Sequence, residues 1–392
     1  MTPRRVALLF HRDLAFCRGV LAGIEDWLLE SGANWRLRHA PSTSRVMPSL
    51  REWQAHGVLG HVFEEGLAKE LTALEVPWVN TTLTIPWLDV PAVDAHHSQV
   101  GRMAAEYLLQ RSFRSFGFFG NKWALFSRLR ELGFRQRLQE SGFDAVPHYA
   151  DYLPMRPTSS SWVQTDAEVS TWLHSLPKPV AVFCCHDVPA CDLIEACANL
   201  QLRVPEDVAI LGVDNDRFEC EMAHPTLSSI ALPTREIGRT AAAMLDQAMR
   251  VADGNGGTPS GNARLISPSH VVARRSTDVH AVDDSCVQRA LTFMKDECAS
   301  DIGVNDVATA AGLSRRQLER RFRDAMGRTV LNEIHRLRVE RALKLLAESN
   351  MKIDTIAYRV GFSGARQMAD VFRKLLGKAP SQFRNNATPT PW

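Results

Sequence analysis

The sequence predicts an α/β region of parallel sheets covered by helices, followed by an all-α domain holding two helix-turn-helix units. Three observations carry this reading. Short apolar runs alternate with amphipathic stretches between residues 4 and 275, one helix-turn-helix pattern occurs twice near the C-terminus, and charge is divided between the two regions. The 392 residues contain 46 Lys+Arg and 44 Asp+Glu, a near-neutral total. Residues 285–392 nevertheless hold 19 basic against 11 acidic residues, leaving 27 against 33 in residues 1–284. A basic block of this kind suits phosphate contact and counterion release, and it sits on a more acidic body.

In the first region, Val6–Phe10, Gly57–Gly60, Trp78–Thr81, Phe116–Gly120, Ala181–Cys185 and Ala209–Val213 read as buried strands. Between them, Arg18–Leu29, Val100–Leu109, Arg128–Leu138 and Val188–Leu200 show helical periodicity. Alternation of this type implies parallel sheets with both faces covered. Ligands bind such sheets outside the carboxyl ends of the strands. There the sequence places Phe10-His11-Arg12, Gly120-Asn121-Lys122, His186-Asp187 and Asp214-Asn215-Asp216. No G-x-G-x-x-G or P-loop pattern occurs, so a nucleotide is not supported.

In the second region, Val307, Ala308 and Ala311 make one apolar stripe, Gly312 breaks it, and Ser314 opens a helix closed by Leu318 and Phe322. Ile356, Ala357, Val360, Gly361, Ser363, Met368 and Phe372 repeat the pattern. Matching positions lie 49 residues apart up to the serine and 50 beyond it, so the second turn holds one extra residue, placed at Gly364. Ser314 with Gln317 forms a capping box. In the second copy either Ser363 or Gly364 serves as N-cap, since both types are accepted there. Val330–Ser349 reads as one connecting helix, and two readers on successive major-groove faces need a separation of roughly 34 Å.

Length and composition suit a soluble chain with several cores. The start, MTPRRVALLFHRD, lacks a signal-peptide core, and no long apolar run marks a membrane span, so the expected location is cytoplasmic. Eight cysteines without a C-x-x-C pair read as buried, reduced thiols. His11, His96 and His97 lack clustered partners at ligand spacing, so no metal is expected.

Residues 285–385 closely resemble the AraC-type DNA-binding domain. The resemblance rests on Asp306-Val307-Ala308, Gly312-Leu313-Ser314, Leu318 to Arg323, Arg338 with Ala342 and Leu345-Leu346, Ile356-Ala357, Val360 to Ser363, Phe372-Arg373-Lys374, and Gly377 with Pro380, Phe383 and Arg384. Met368 and Ala379 depart from the family pattern, the latter where a hydroxyl residue usually precedes the proline. The resemblance implies double-stranded DNA as partner and base contacts from Arg316, Glu319 and Arg320 in the first unit. In the second it implies Ala365, Arg366, Gln367 and Asp370. Arginine pairs bidentately with guanine, glutamine with adenine, and a carboxylate accepts from cytosine. Arg315 adds to the positive surface, and Arg323 and Arg373 suit phosphate clamps. For Asp370 a second reading stays open, a surface pair with Arg366.

Residues 1–275 resemble the LacI/GalR-type sugar-sensing domain, itself similar to periplasmic sugar-binding proteins: two Rossmann-like subdomains closing on a ligand. The pieces are Asp94 with Ala104 and Leu108, Arg130 to Phe134, Ala181-Val182-Phe183 running to Asp187, Val204 to Val208, Gly212 to Asn215, Leu227 to Ile230, and Arg274 to Thr277. Such a sensor joined through a linker at residues 276–284 to a C-terminal AraC-type reader looks like the regulators of bacterial xylose operons. The resemblance implies a monosaccharide effector, D-xylose first among pentoses, and no cofactor. Its ligand contacts would be Arg130, Asp187, Asp214 and Asn215, joined by Phe16 and Arg18. Asp94 reads as structural, and Leu232 departs from a position usually polar. Asp214 as a helix cap and Arg130 as an exposed helix arginine are the competing assignments. The resemblance further implies a homodimer on operator half-sites and activation of pentose catabolic genes, with RNA polymerase a possible partner. Repression, or response to another sugar, is the alternative. An enzyme would instead use Asp187 and Asp214 as acid and base.

Overall fold

The computed structural model describes residues 3–85, 87–150, 167–254, 263–279 and 284–384. They sort into two compact units, one of Met1–Tyr107 with Ser115–Thr277, the other of Leu108–Arg114 with Asp278–Trp392.

The first unit contains two six-stranded sheets. Their strands, in chain order, are β1 (Arg4–Leu9), β2 (Trp35–Ala40), β3 (Gly57–Gly60), β4 (Trp78–Asn80), β5 (Ala92–Ala95), β6 (Ser115–Gly120), β7 (Ala145–Tyr149), β8 (Val180–Cys184), β9 (Val208–Val213), β10 (Ser228–Ala231), β11 (Ala263–Ile266) and β12 (His270–Val272). One sheet runs β11-β5-β4-β3-β1-β2 and the other β12-β10-β9-β8-β6-β7. Every strand pairing is parallel except β10 with β12. The chain therefore passes between the sheets after β5, after β10 and again between β11 and β12. Each sheet has its own core, one around Leu9, Val58, Leu67 and Trp78, the other around Phe119, Trp172, Val182, Leu193 and Ile210.

The six strands expected from sequence are β1, β3, β4, β6, β8 and β9, none off by more than two residues at either end. The four expected helices are present as Ala15–Ser31, His97–Leu109, Leu125–Gln139 and Asp187–Asn199. Two of these helices touch backbone to backbone. A Cβ at Gly133 would fall 1.9 Å from Ser98 O, and one at Gly101 would fall 1.9 Å from Arg130 O. Bare glycines thus fix the helix that carries Arg130.

The first unit continues to Thr277. Ser276 and Thr277 are fully buried, with Ser276 Oγ donating to Ile210 O at 2.6 Å, so these two residues pack into the first unit, inside the span 276–284 expected as a linker. At the other end of that segment, Asp284 caps the helix Ser285–Glu297 through the amides of Cys286 and Val287.

The second unit is all helix among its described elements. Helices Val304–Ala311 and Arg315–Met326 form the first helix-turn-helix, Ile353–Arg359 and Ala365–Leu376 the second, with Val330–Glu348 between them. The connecting helix contributes Val330 and Ile334 to one core and Val339, Ala342 and Leu346 to the other. Its buried Arg338 donates to Cys298 O at 2.8 Å and Ser300 O at 3.0 Å. Gly361 turns beside it at φ 94°, where a Cβ would meet Cys298 O at 2.5 Å. Left-handed φ and absent space both require glycine here.

Candidate functional site

The carboxyl ends of β8 and β9 bring two carboxylates together. Asp187 opens its helix and is buried; Ser229 Oγ donates to its Oδ1 at 2.6 Å and the Asp216 amide to its Oδ2 at 2.8 Å. A Cβ at Gly212 would lie 2.2 Å from Asp187 Oδ1, so this strand residue must be bare for the carboxylate to fit. Asp214 and Asn215 follow with φ 109° and 52°, left-handed values uncommon for non-glycine residues. Backbone held this way at a strand end is a feature of functional turns. Burial and the neighbouring Asp214 push the Asp187 carboxyl well above its ordinary range. Burial pushes Asp214 up to about 6; the Arg130 guanidinium pulls it down and Asp216 raises it.

Arg130 supplies the positive charge. It is buried, its Nη1 donates to Cys185 O, its Nη2 lies 3.9 Å from Asp214 Oδ1, and its guanidinium stands 5.0 Å over the Phe126 ring. Its Nε is buried and has no hydrogen-bond partner among the described residues. Phe126 also meets His97 and His186, at 6.1 and 6.2 Å between centroids. Burial, then Arg130, holds His186 down to about 3, so the ring is neutral at pH 7.

The first sheet carries rings at its own strand ends. Phe16 lies 5.1 Å from His61, which lies 6.0 Å from Phe63. Burial lowers His61 to about 4, against the opposing pull of Asp94. Arg18 is tied up: its Nη1 donates to Arg12 O at 3.1 Å and Asp13 O at 2.6 Å, and its Nη2 pairs with Asp216 at 2.7 Å. That pair links the helix after β1 to the turn after β9. A cavity of about 180 Å³ lies elsewhere, against β3, lined by Leu50, Ala55, Val58, Leu74 and Val76 together with Arg51 and Gln54; no residue of the carboxylate cluster borders it.

In the second unit, Arg315, Arg316, Arg320 and Arg323 are exposed on one helix, and Arg366, Gln367, Asp370 and Arg373 on the other, while Glu319 and Ala365 are half-buried. Leu318 with Phe322, and Met368 with Phe372, point inward. The capping box holds as expected, with the Ser314 amide donating to Gln317 Oε1 at 3.0 Å and the Gln317 amide to Ser314 Oγ at 3.4 Å.

Comparison with known proteins fits both halves. A family model described as "Periplasmic binding protein-like domain" matches residues 105–277, and one described as "Helix-turn-helix domain" matches residues 307–386. The chain is 25% identical over 97% of both lengths to the xylose operon regulatory protein of Escherichia coli (strain K12), and equally to that of Haemophilus influenzae over 97% of this chain and 98% of the relative. Its fold matches the "structure of xylose-binding transcription activator xylR" with TM-score 0.62, at 25% identity, over 99% of this chain and 100% of that one. The chain is a DNA-binding transcription regulator. Its architecture is like that of those xylose operon regulatory proteins, a periplasmic-binding-like domain followed by a helix-turn-helix domain, and like those relatives it is a regulator rather than an enzyme. A "transcriptional regulator CelR-cellobiose complex" matches 70% of the chain with TM-score 0.55 at 24% identity, which speaks to fold alone.

Within this regulator, Arg130, Asp187 and Asp214 converge at the strand ends. Arg130 is not an exposed helix arginine, and Asp216 rather than Asp214 caps the next helix, accepting from the Phe218 amide at 3.1 Å. Asn215 turns its Oδ1 toward Arg274 Nη2 at 2.9 Å. Asp94 accepts from the Leu83 and Ala95 amides and lies 3.3 Å from His97, a structural role. Three findings concern the second reader. Gly364, not Ser363, is the N-cap residue. Gln367 is engaged, its Oε1 accepting from the Ser363 amide and hydroxyl at 2.8 and 3.0 Å. Asp370 pairs with Arg373 at 3.0 Å, not with Arg366. Sequence reasoning gave no site role to Ser229, Asp216 or Arg274. Ser229 and Arg274 stood within matched motifs, Ser229 on β10 opposite Gly212 of β9, and the motif match was the available signal.

Proposed function

We propose that this regulator senses a pentose, D-xylose first, and that sugar binding sets how its readers engage DNA. The supporting observation is the cluster of Asp187, Asp214 and Arg130 at the ends of β8 and β9, with the Phe126 ring against Arg130. A sugar offers paired hydroxyls and an apolar ring face; carboxylates accept from the hydroxyls, a guanidinium donates to them, and rings cover the face. The buried, unpartnered Nε of Arg130 is a donor that a ligand oxygen would satisfy. The full-length similarity to xylose-operon regulators supports xylose as the first sugar to test.

On this reading the protein acts in the cytoplasm, where among the described residues no helix is long and apolar enough to cross a membrane. It works as a homodimer on repeated operator half-sites, activating pentose catabolic genes, with RNA polymerase as a contact in the activated complex. No cofactor takes part.

A thermal-shift screen of a dozen monosaccharides tests the sensing. A ligand that binds only the native state adds RT ln(1+[L]/Kd), about 2.7 kcal/mol at a hundredfold excess over Kd. Xylose is expected to stand apart from hexoses. A larger shift with another sugar would reassign the effector, and no shift with any would remove the sensing role.

A further inference from the structure

The two reader helices differ in what their side chains are free to do. On Arg315–Met326, Arg315 is held by Glu319 at 2.9 Å and Arg321 by Asp284 at 2.6 Å. Arg316, Arg320 and Arg323 are exposed, and none of them makes an ion pair among the described residues. With the fifty-residue offset, Arg316 corresponds to Arg366, Gln317 to Gln367, Arg320 to Asp370 and Arg323 to Arg373. In the second helix Gln367 is spent on Ser363, and Asp370, standing where Arg320 stands, holds Arg373 at 3.0 Å. Of its candidate readers only Arg366 keeps a charge without an ion-pair partner among the described residues.

We propose, resting on the reading of this unit as a binder of duplex DNA, that the first helix-turn-helix chooses the operator sequence through Arg316 and Arg320, whereas the second grips DNA with little base discrimination. An unpaired guanidinium presents its whole fork to guanine O6 and N7, worth about five- to 150-fold against a wrong base. A carboxylate facing phosphates is repelled, and the pair with Arg373 relieves that repulsion while withdrawing both groups from readout. The pair is exposed on both sides and so holds only weakly. Its persistence on DNA follows from the alternative: Arg373 moved to a phosphate would leave Asp370 bare in a negative field.

The test uses the full chain with sugar bound. A preferred sequence is first selected from random duplexes, and each base pair is then substituted in turn. Within each half-site, the groove segment under one helix-turn-helix is expected to lose tenfold or more at its critical positions and the segment under the other no more than about threefold. Arg320→Ala should erase discrimination at one position of the sensitive segment in each half-site, while Arg366→Ala should weaken all duplexes and leave the preference profile as it was. Asp370→Ala should strengthen cognate and random duplexes by a similar factor and steepen the salt dependence, because Arg373 is released to phosphate. Two segments of equal sensitivity within a half-site, or loss of cognate binding alone in Asp370→Ala, would overturn the division of labour. Failure of the selection to enrich any sequence would instead overturn the DNA-reading assignment beneath it.

Discussion

Gln367 does in the second reader what Gln317 does in the first. Each Oε1 accepts from a serine amide and hydroxyl ahead of its helix, at 3.0 and 2.8 Å from Ser314 and at 2.8 and 3.0 Å from Ser363. The extra residue at Gly364 stretches the spacing from three to four, and Gly364 becomes the cap without loss of the bond. Replacing Gln367 with Ala should therefore lower thermal stability by about 0.5 to 1 kcal/mol, as loss of a capping contact does. The base-preference profile should not move. A selective loss on adenine-containing sites would show that the amide also reads DNA.

The Ser314–Gln317 box is legible in the sequence from its three-residue spacing, whereas Gln367, expected there to read a base, sits four positions from Ser363 and so leaves no capping-box pattern. The central strands are legible because β1, β3, β4, β6, β8 and β9 are almost wholly buried and read as unbroken apolar runs. β2, WRLRHA, is a largely exposed edge strand with three charged or histidine residues, and β11 is an exposed edge of four residues, so neither leaves that trace. The helix Thr234–Asp253 carries a strong apolar stripe that periodicity could have found. Among site residues, Arg130, Asp187 and Asp214 lie in local motifs. The Arg18–Asp216 pair spans 198 positions and no local pattern encodes it.

Asp214 should be indispensable for the effector. Asp214→Ala removes a carboxylate beside Arg130 and leaves ligand donors without an acceptor. The xylose-induced thermal shift is expected to vanish, while fold and sugar-free DNA affinity persist. A normal sugar titration in this variant would take Asp214 out of the site.

The raised Asp214 carboxyl fixes a pH dependence. Its proton is held at about 6 in the folded chain against an ordinary 3.8. The folded state binds more protons than the unfolded between these values, so this group's contribution is full below about pH 3.8 and is lost as pH rises through about 6. Asp214→Asn cannot titrate. Its melting temperature relative to the parent should thus climb between pH 4 and 6.5 and level off above. A flat difference, or one that climbs toward acid, would show that Asp214 does not hold its proton tightly in the folded chain.

Reading and holding separate on the first recognition helix. Arg320 is exposed beside inward-pointing Leu318 and Phe322, and Arg323 lies one residue past that phenylalanine. Arg320→Ala should cost about 1 to 3 kcal/mol on a cognate operator and far less on random DNA, the signature of a bidentate base contact. Arg323→Ala should weaken both duplexes by a similar factor and make the logarithmic salt slope shallower by about one, because a phosphate clamp releases about one counterion. Measuring both variants on both duplexes at several salt concentrations decides the matter. Equal losses on cognate and random DNA for Arg320→Ala would make it a second clamp, and base choice by this helix would then fall to Arg316.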